Sequence, residues 1–218
     1  MAGALALGSL LLSCSSVLMD LEIAPIVSVR VAPDSVDLPI GSVSRLRAFP
    51  LDSTGAYRPG GTTVWATSDD LIATVNDTGL VTGVAAGTVT ITASAHSLQG
   101  TARVRVGPAP LISLATDSIR FDATIGQGDP TPQAIAVTNG GGLSLAGLAV
   151  GTIDYGSGPP AWLAPQLDAT IAPATLTVQA LPVTITQAGT YLATVPVTAP
   201  LAGNSPRNLR VVLVLAAP

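Results

Sequence analysis

The sequence predicts an all-β chain: two tandem antiparallel β-sandwiches behind an N-terminal hydrophobic segment. Three observations carry this. Short runs rich in Val, Ile, Thr and Leu alternate with Gly, Pro, Asn, Asp and Ser clusters every 8–12 residues or so, the rhythm of sandwich strands and turns. No segment after residue 20 has helical period. The 218 residues also divide at Gly107-Pro108-Ala109-Pro110 into two stretches of about 100 residues, each long enough for a domain.

The N-terminal segment, residues 1–20, comes first. Ala2 to Met19 carry no charged side chain and are mostly Ala, Leu, Gly and Ser. The run is barely long enough to span a bilayer, which takes about 20 residues, and its composition fits a secretory apolar region better. Cys14, the only cysteine of the chain, follows Leu11, Leu12 and Ser13. Leu-Leu-Ser-Cys resembles a bacterial lipobox, and the resemblance implies cleavage before Cys14 and lipidation of its thiol. A chain with no second thiol leaves Cys14 nothing to pair with, which fits an anchoring role. Only the amine of Met1 supplies positive charge ahead of the run, where such signals usually carry Lys or Arg. The segment is therefore expected to be either a cleaved, lipidated signal or an uncut membrane anchor.

Residues 24–107 read as the first sandwich. Val27, Val29 and Val31 alternate with Ser28 and Arg30; Val89, Ile91 and Ala93 alternate with Thr88, Thr90 and Thr92; Ala102, Val104 and Val106 alternate with Arg103 and Arg105. Successive strand residues point to opposite faces, so each run offers one apolar and one polar side. Asn76-Asp77-Thr78-Gly79 is a turn between two such runs. The stretch from Val27 to Val106 resembles a bacterial Ig-like domain of group 2. The resemblance is carried by Val64-Trp65-Ala66-Thr67-Ser68, Ile72-Ala73-Thr74-Val75, Gly79 to Val84 and Ala86 to Ala93. It implies an Ig-like sandwich with Trp65 in the core. It also implies that Gly79, Gly83 and Gly87 lie where the chain needs positive φ or close backbone approach. Members of that family are usually non-catalytic spacers, stalks or appendages.

Residues 108–110 then read as a short Pro-rich, semi-rigid linker. Residues 111–218 have a strand pattern of their own. Ile119 and Phe121 mark a strand, and Gly126 to Pro130 a turn. Gln133 to Thr138 read as a strand before Asn139-Gly140-Gly141. Trp162-Leu163, Ala174 to Val178, Gly189 to Val195 and a final run to Leu215 complete the series. The Gly189-Thr190-Tyr191 strand and the Asn204-Ser205-Pro206 turn resemble bacterial Ig-like domains of the BACON-related kind. Leu143, Leu145, Leu148 and Val150 are more apolar than that resemblance requires.

Composition limits the chemistry. All nine basic residues are Arg, against 13 acids, so the net charge is -4. Clustered cations for phosphate are missing, and nucleic acid is not an expected partner. One His and one Cys leave little for a metal or a Cys–His pair. Asp69-Asp70 is not part of an Asp-x-Asp-x-Asp loop and reads as a solvated turn. His96 stands at a strand end with no second ligand. Twelve of the 13 acids are Asp, scattered in turns, and no carboxylate pair stands out. Tyr155 and Trp162 flank Gly156 to Pro160, an arrangement that could stack on a sugar, although Trp162 reads first as a core plug.

No catalytic, cofactor-binding or metal-binding residue is therefore expected, no cofactor, and only Cys14 as a modified residue. Charged residues are 10% of the chain and mean hydropathy is +0.56, which implies an unusually uncharged surface. The expectation is a non-catalytic, extracytoplasmic, membrane-anchored protein, periplasmic or at the cell surface. It would serve as an accessory subunit contacting a larger membrane or envelope protein complex, for example a respiratory or photosynthetic one. The alternative is a carbohydrate-binding or adhesive surface module.

Overall fold

The computed structural model describes residues 25–218; Cys14 and the rest of the N-terminal segment lie outside them. The fold is all-β, in Ig-like sandwiches. In the first, the strands in chain order are β1 (Ile26–Ala32), β2 (Ser35–Pro39), β3 (Val43–Arg45), β4 (Arg47–Asp52), β5 (Val64–Thr67), β6 (Ala73–Val75), β7 (Leu80–Gly83), β8 (Gly87–Ala95) and β9 (Leu98–Gly107). One sheet has the order β2-β9-β8-β5; opposite it lie β1-β4 and β3-β7-β6. β3 and β4 are one strand interrupted at Leu46, whose N–H donates to the Gly79 carbonyl instead of a ladder partner. The alternation read from the sequence sets the inner face: Val89, Ile91, Ala93, Ala102, Val104 and Val106 are all buried together, with Val29, Val31 and Leu38. Val27 departs from its run. The ladder of β1 with β4 shifts register between Ile26 and Ser28, and Val27 is turned outward.

The second sandwich repeats this plan. Its strands are β10 (Ile112–Leu114), β11 (Ser118–Thr124), β12 (Gln133–Asn139), β13 (Ala149–Val150), β14 (Leu163–Leu167), β15 (Ala174–Ala180), β16 (Gly189–Thr198) and β17 (Arg207–Ala216). The sheets are β10-β12-β15-β14 and β11-β17-β16-β13. The core holds Phe121, Ile135, Leu176, Val195, Leu213 and the fully buried Trp162, so the core-plug reading of Trp162 holds. Leu145 and Leu148 belong to this core as well, which accounts for the extra apolarity of their segment. Among the described residues the helical structure is one short 3-10 turn, Pro182–Thr184.

Two expectations need correction. The sandwiches are not wholly antiparallel: β2 runs parallel to β9, and β11 parallel to β17. In each unit the first strand pairs antiparallel in one sheet, and after a short break the chain crosses to pair with the last strand of the other sheet. The second correction is Trp65, which is half-buried rather than enclosed. It sits on β5, an edge strand, and its ring reaches over the turn at Gly79. Gly79 has φ +77°, and a Cβ there would lie 2.9 Å from the ring and closer still to the Leu46 carbonyl. Only glycine meets both conditions.

The junction is more than a stiff tether. β9 continues to Gly107, whose carbonyl accepts from Ile40 N at 3.0 Å. Beyond it, Leu143 N donates to Pro108 O at 3.0 Å, Gly142 N to Ala109 O at 3.4 Å and Gly203 N to Pro110 O at 3.0 Å. Leu143 is buried, and a Cβ on Gly107 would fall 3.2 Å from its Cδ2. Prolines donate nothing themselves, so the carbonyls of this segment are held from the second sandwich.

Candidate functional site

A depression of about 730 Å3 lies on the second sandwich over β16 and β17. Strand alternation makes its floor. Ala193 and Val195 point into the core, so Thr190, Leu192 and Thr194 point out. On β17, Leu209 and Val211 point in, so Asn208 and Arg210 point out. The register sets Thr194 opposite Arg210. One wall is the turn at 154–158, held to the edge of β16 by a reciprocal pair of backbone bonds: Asp154 N to Thr194 O at 3.0 Å and Thr194 N to Asp154 O at 2.7 Å. The Asp154 carboxylate caps its own turn, accepting from Gly156 N at 2.8 Å, and Gly158 N donates to Tyr155 O.

Tyr155 and Tyr191, both half-buried, line the groove. The Tyr155 ring meets the buried Trp162 edge-on, centroids 5.8 Å apart, so the core fixes its orientation. Tyr191 Oη donates to the Gln187 carbonyl at 2.8 Å. Asp117 also lines the groove; its carbonyl accepts from Arg210 N at 2.9 Å and its carboxylate pairs with Arg207. A second depression, about 380 Å3, shares Ser157, Gly158 and Tyr191 with the first.

Other residues singled out in the sequence have structural places. Asp69 accepts from Leu71 N at 3.0 Å and so closes a turn; Asp70 is exposed. His96, with Ser97, forms the exposed two-residue tip of the β8–β9 hairpin at φ 51° and 62°. Among the described residues no group of three His, Cys, Asp or Glu side chains converges. Trp162 is fully enclosed, which leaves Tyr155 without it as a stacking partner for any ligand. The groove brings Asp117, Asp154, Asn208 and Arg210 together from distant parts of the chain, a grouping that their separation in the sequence conceals. The available signal was the alternation at 208–210, where Asn208 and Arg210 flank the buried Leu209.

The one buried charged side chain among the described residues is elsewhere, in the first sandwich. Asp52 Oδ1 accepts from Thr54 Oγ1 at 2.6 Å, Thr54 N at 2.9 Å and Ala56 N at 3.0 Å, and Oδ2 accepts from Arg58 Nε at 2.6 Å. The Thr54 hydroxyl first, then the two amides and Arg58, hold its carboxyl far below the usual carboxylate range, against the opposing effect of desolvation. This knot ties down the loop bearing Tyr57, which packs edge-on against Phe49 with centroids 5.7 Å apart.

Comparison with known proteins adds the following. Residues 25–106 match the family model of the bacterial Ig-like domain (group 2). A curated relative, Ice-binding protein 1 of Shewanella frigidimarina (strain NCIMB 400), is 32% identical over 95 residues. The match takes in 41% of this chain, which spans only about a tenth, 10%, of that protein. Among solved structures, the fibronectin(III)-like modules of Clostridium thermocellum CbhA align with 87% of this chain and 94% of theirs, at 12% identity and TM-score 0.44. Domains 4 and 5 of the S-layer protein SbsC align with 89% of this chain and 100% of theirs, at 18% identity and TM-score 0.36.

Proposed function

We propose that this chain is a non-catalytic, membrane-tethered interaction module of the bacterial envelope, standing outside the cytoplasm as an accessory subunit of a larger membrane or envelope protein complex. The observation that carries it is the pair of same-plan sandwiches joined by a hydrogen-bonded junction. Such a body offers extended, stiff sheet faces and edges to a partner. The group 2 Ig-like match over 25–106 supports the reading, as does the low charge, which lowers the desolvation cost of covering a face. In this proposal the second sandwich is a BACON-related unit. Residues 1–20 tether the chain, either through lipid on Cys14 or as an uncut anchor.

Membrane fractionation and intact-mass measurement test the tether. A lipidated form begins at Cys14, having lost the 13 residues before it, and Cys14→Ser blocks that processing. A full-length unmodified mass in the membrane fraction leaves the anchor form; a soluble full-length protein in the cytosol rejects both. Gentle detergent extraction followed by pull-down tests the partner. Stoichiometric recovery with one membrane or envelope complex is expected, and recovery as a well-behaved monomer overturns the accessory-subunit role.

A further inference from the structure

We infer that the outer edge of β5 pairs with the same edge of a second copy of this chain, antiparallel about a two-fold axis at Trp65. The backbone of that edge is unpartnered. Ser68 N donates to Thr90 O at 3.0 Å, continuing the ladder in which Ala66 faces Thr92 and Val64 faces Ser94. Hydrogen-bonded residues alternate along an antiparallel ladder, so Val64, Ala66 and Ser68 turn their backbone groups to β8, while Trp65 and Thr67 aim theirs out of the sheet. Among the described residues, neither meets a backbone partner there.

This edge also lacks the devices that protect the others. Edge strands are blunted by charge, proline, bulges or shortness. β1 carries Arg30 and the register shift near Val27, and β2 carries Asp37 and ends in Pro39. β11 has Arg120 and Asp122, and β14 has Pro165 at its centre. β3, β6, β10 and β13 have only two or three residues each. The 57–58 segment covers the end of β4. Gly60 to Ser68, by contrast, contain neither a charged side chain nor a proline, and Val64 is 61% exposed.

The strand's own sequence selects a second copy as the occupant. Residues opposed across an antiparallel pair share a face. A two-fold axis at Trp65 therefore sets Trp65 against its own counterpart, Val64 against Ala66 and Thr63 against Thr67. Aromatic meets aromatic, apolar meets apolar and threonine meets threonine, and no like charges are opposed. The backbone groups match too, because the same residues aim outward in both copies. On the inner side, a groove of about 320 Å3 beside Trp65, lined by Phe49, Tyr57, Thr63 and Thr78, gives the incoming ring room. One partner uses up the edge, so assembly stops at two. A four-residue edge buries less than the roughly 1,200 Å2 of a stable interface, so the pairing is weak, with Kd on the order of 0.1 mM.

The inference is independent of the tether and of any other protein partner, because it is read on the purified chain alone. The test is sedimentation equilibrium of the full chain in density-matched mild detergent, from about 10 µM to about 1 mM, a range that brackets weak binding. Mass should rise from one copy toward two. Amide shifts on dilution should be confined to 63–68 and the adjoining groove. Val64→Lys with Ala66→Lys opposes like charges twice across the pair and should weaken it at least about tenfold. Val64→Glu with Ala66→Lys opposes unlike charges in the same register and should keep the wild-type Kd within about threefold. Both positions are exposed, so both variants should melt with the wild type. A mass that stays at one copy up to about 1 mM overturns the inference, even if a different protein proves to bind the β5 edge. So do growth beyond two copies, dilution shifts elsewhere, pairing that ignores the two lysines, and loss of pairing in the Glu–Lys variant.

Discussion

At the scale of the residue, the two tryptophans of the chain have different roles. Trp162 is fully enclosed, and Trp162→Ala should cost about 3–5 kcal/mol, the range for a core aromatic. Its Nε1 finds no partner in the core, so Trp162→Phe, which removes that unsatisfied donor along with some volume, should cost clearly less. Trp65 lies half-open at a sheet edge, and Trp65→Ala should cost about half the core figure. Denaturant melts of the three variants test the ranking. Trp65 shows what the sequence could not convey: its place on a strand was legible, but the openness of that strand's edge depends on which strands pair beside it. Asp52 was not legible at all. Nothing in Asp52-Ser53-Thr54 says that one carboxylate will collect four donors, since that depends on the loop folding back to bring Ala56 and Arg58 to it. Its lowered folded pKa means that the unfolded chain takes up the proton first. The stabilisation from this carboxylate is complete above its ordinary value, 3.8, and is lost progressively as pH falls below it. Asp52→Asn should flatten the acid limb of the stability–pH curve below about pH 4, measured by melts from pH 6 downward.

At the scale of the element, strands were the most readable feature. Apolar alternation in 88–93 and 102–106 identified both the strands and their buried faces, because a two-residue period has only one way to meet a core. The parallel pairs were not readable, since β2 and β9 lie more than 60 residues apart and alternation carries no direction. The groove was hidden for the same reason: Asp117, Asp154 and Arg210 meet only through the order β11-β17-β16-β13. At the junction the prolines announced stiffness, while its partner strip at 140–143 looked like an ordinary glycine turn. That strip is glycine for steric reasons. A Cβ on Gly141 would collide with the Ala109 carbonyl and lie 2.7 Å from Pro110 Cα, both backbone. Gly141→Ala should therefore cost about 1–3 kcal/mol, as overpacking does. It should also open the chain between Gly107 and Pro110 to limited proteolysis, which thermal melts and digestion together would reveal.

At the scale of the whole molecule, the parallel strands decide how the chain answers a pull. In the first sandwich, the early strand β2 and the last strand β9 lie side by side over Ser35–Pro39 and Arg103–Gly107. In the second, β11 and β17 do the same over Ser118–Thr124 and Arg210–Ala216. A protein tethered near its N-terminus and gripped beyond its C-terminus would feel tension enter along one strand of each pair and leave along the other. For parallel neighbours the two forces are opposed along the ladder, so every hydrogen bond in it is loaded at once in shear. Peeling, in which bonds fail singly, is the geometry of a hairpin pulled from its open end. Forced rupture follows the unfolding barrier rather than equilibrium stability. Single-molecule pulling from the two ends should then give two separate high-force events. The later should belong to the second sandwich, whose shear ladder of seven residue pairs outlasts the five of the first. Replacing Val212 by Pro, which removes one donor from the longer ladder, should bring that later event down toward the earlier one. Two sandwiches built this way would withstand steady tension far longer than their resting stability suggests.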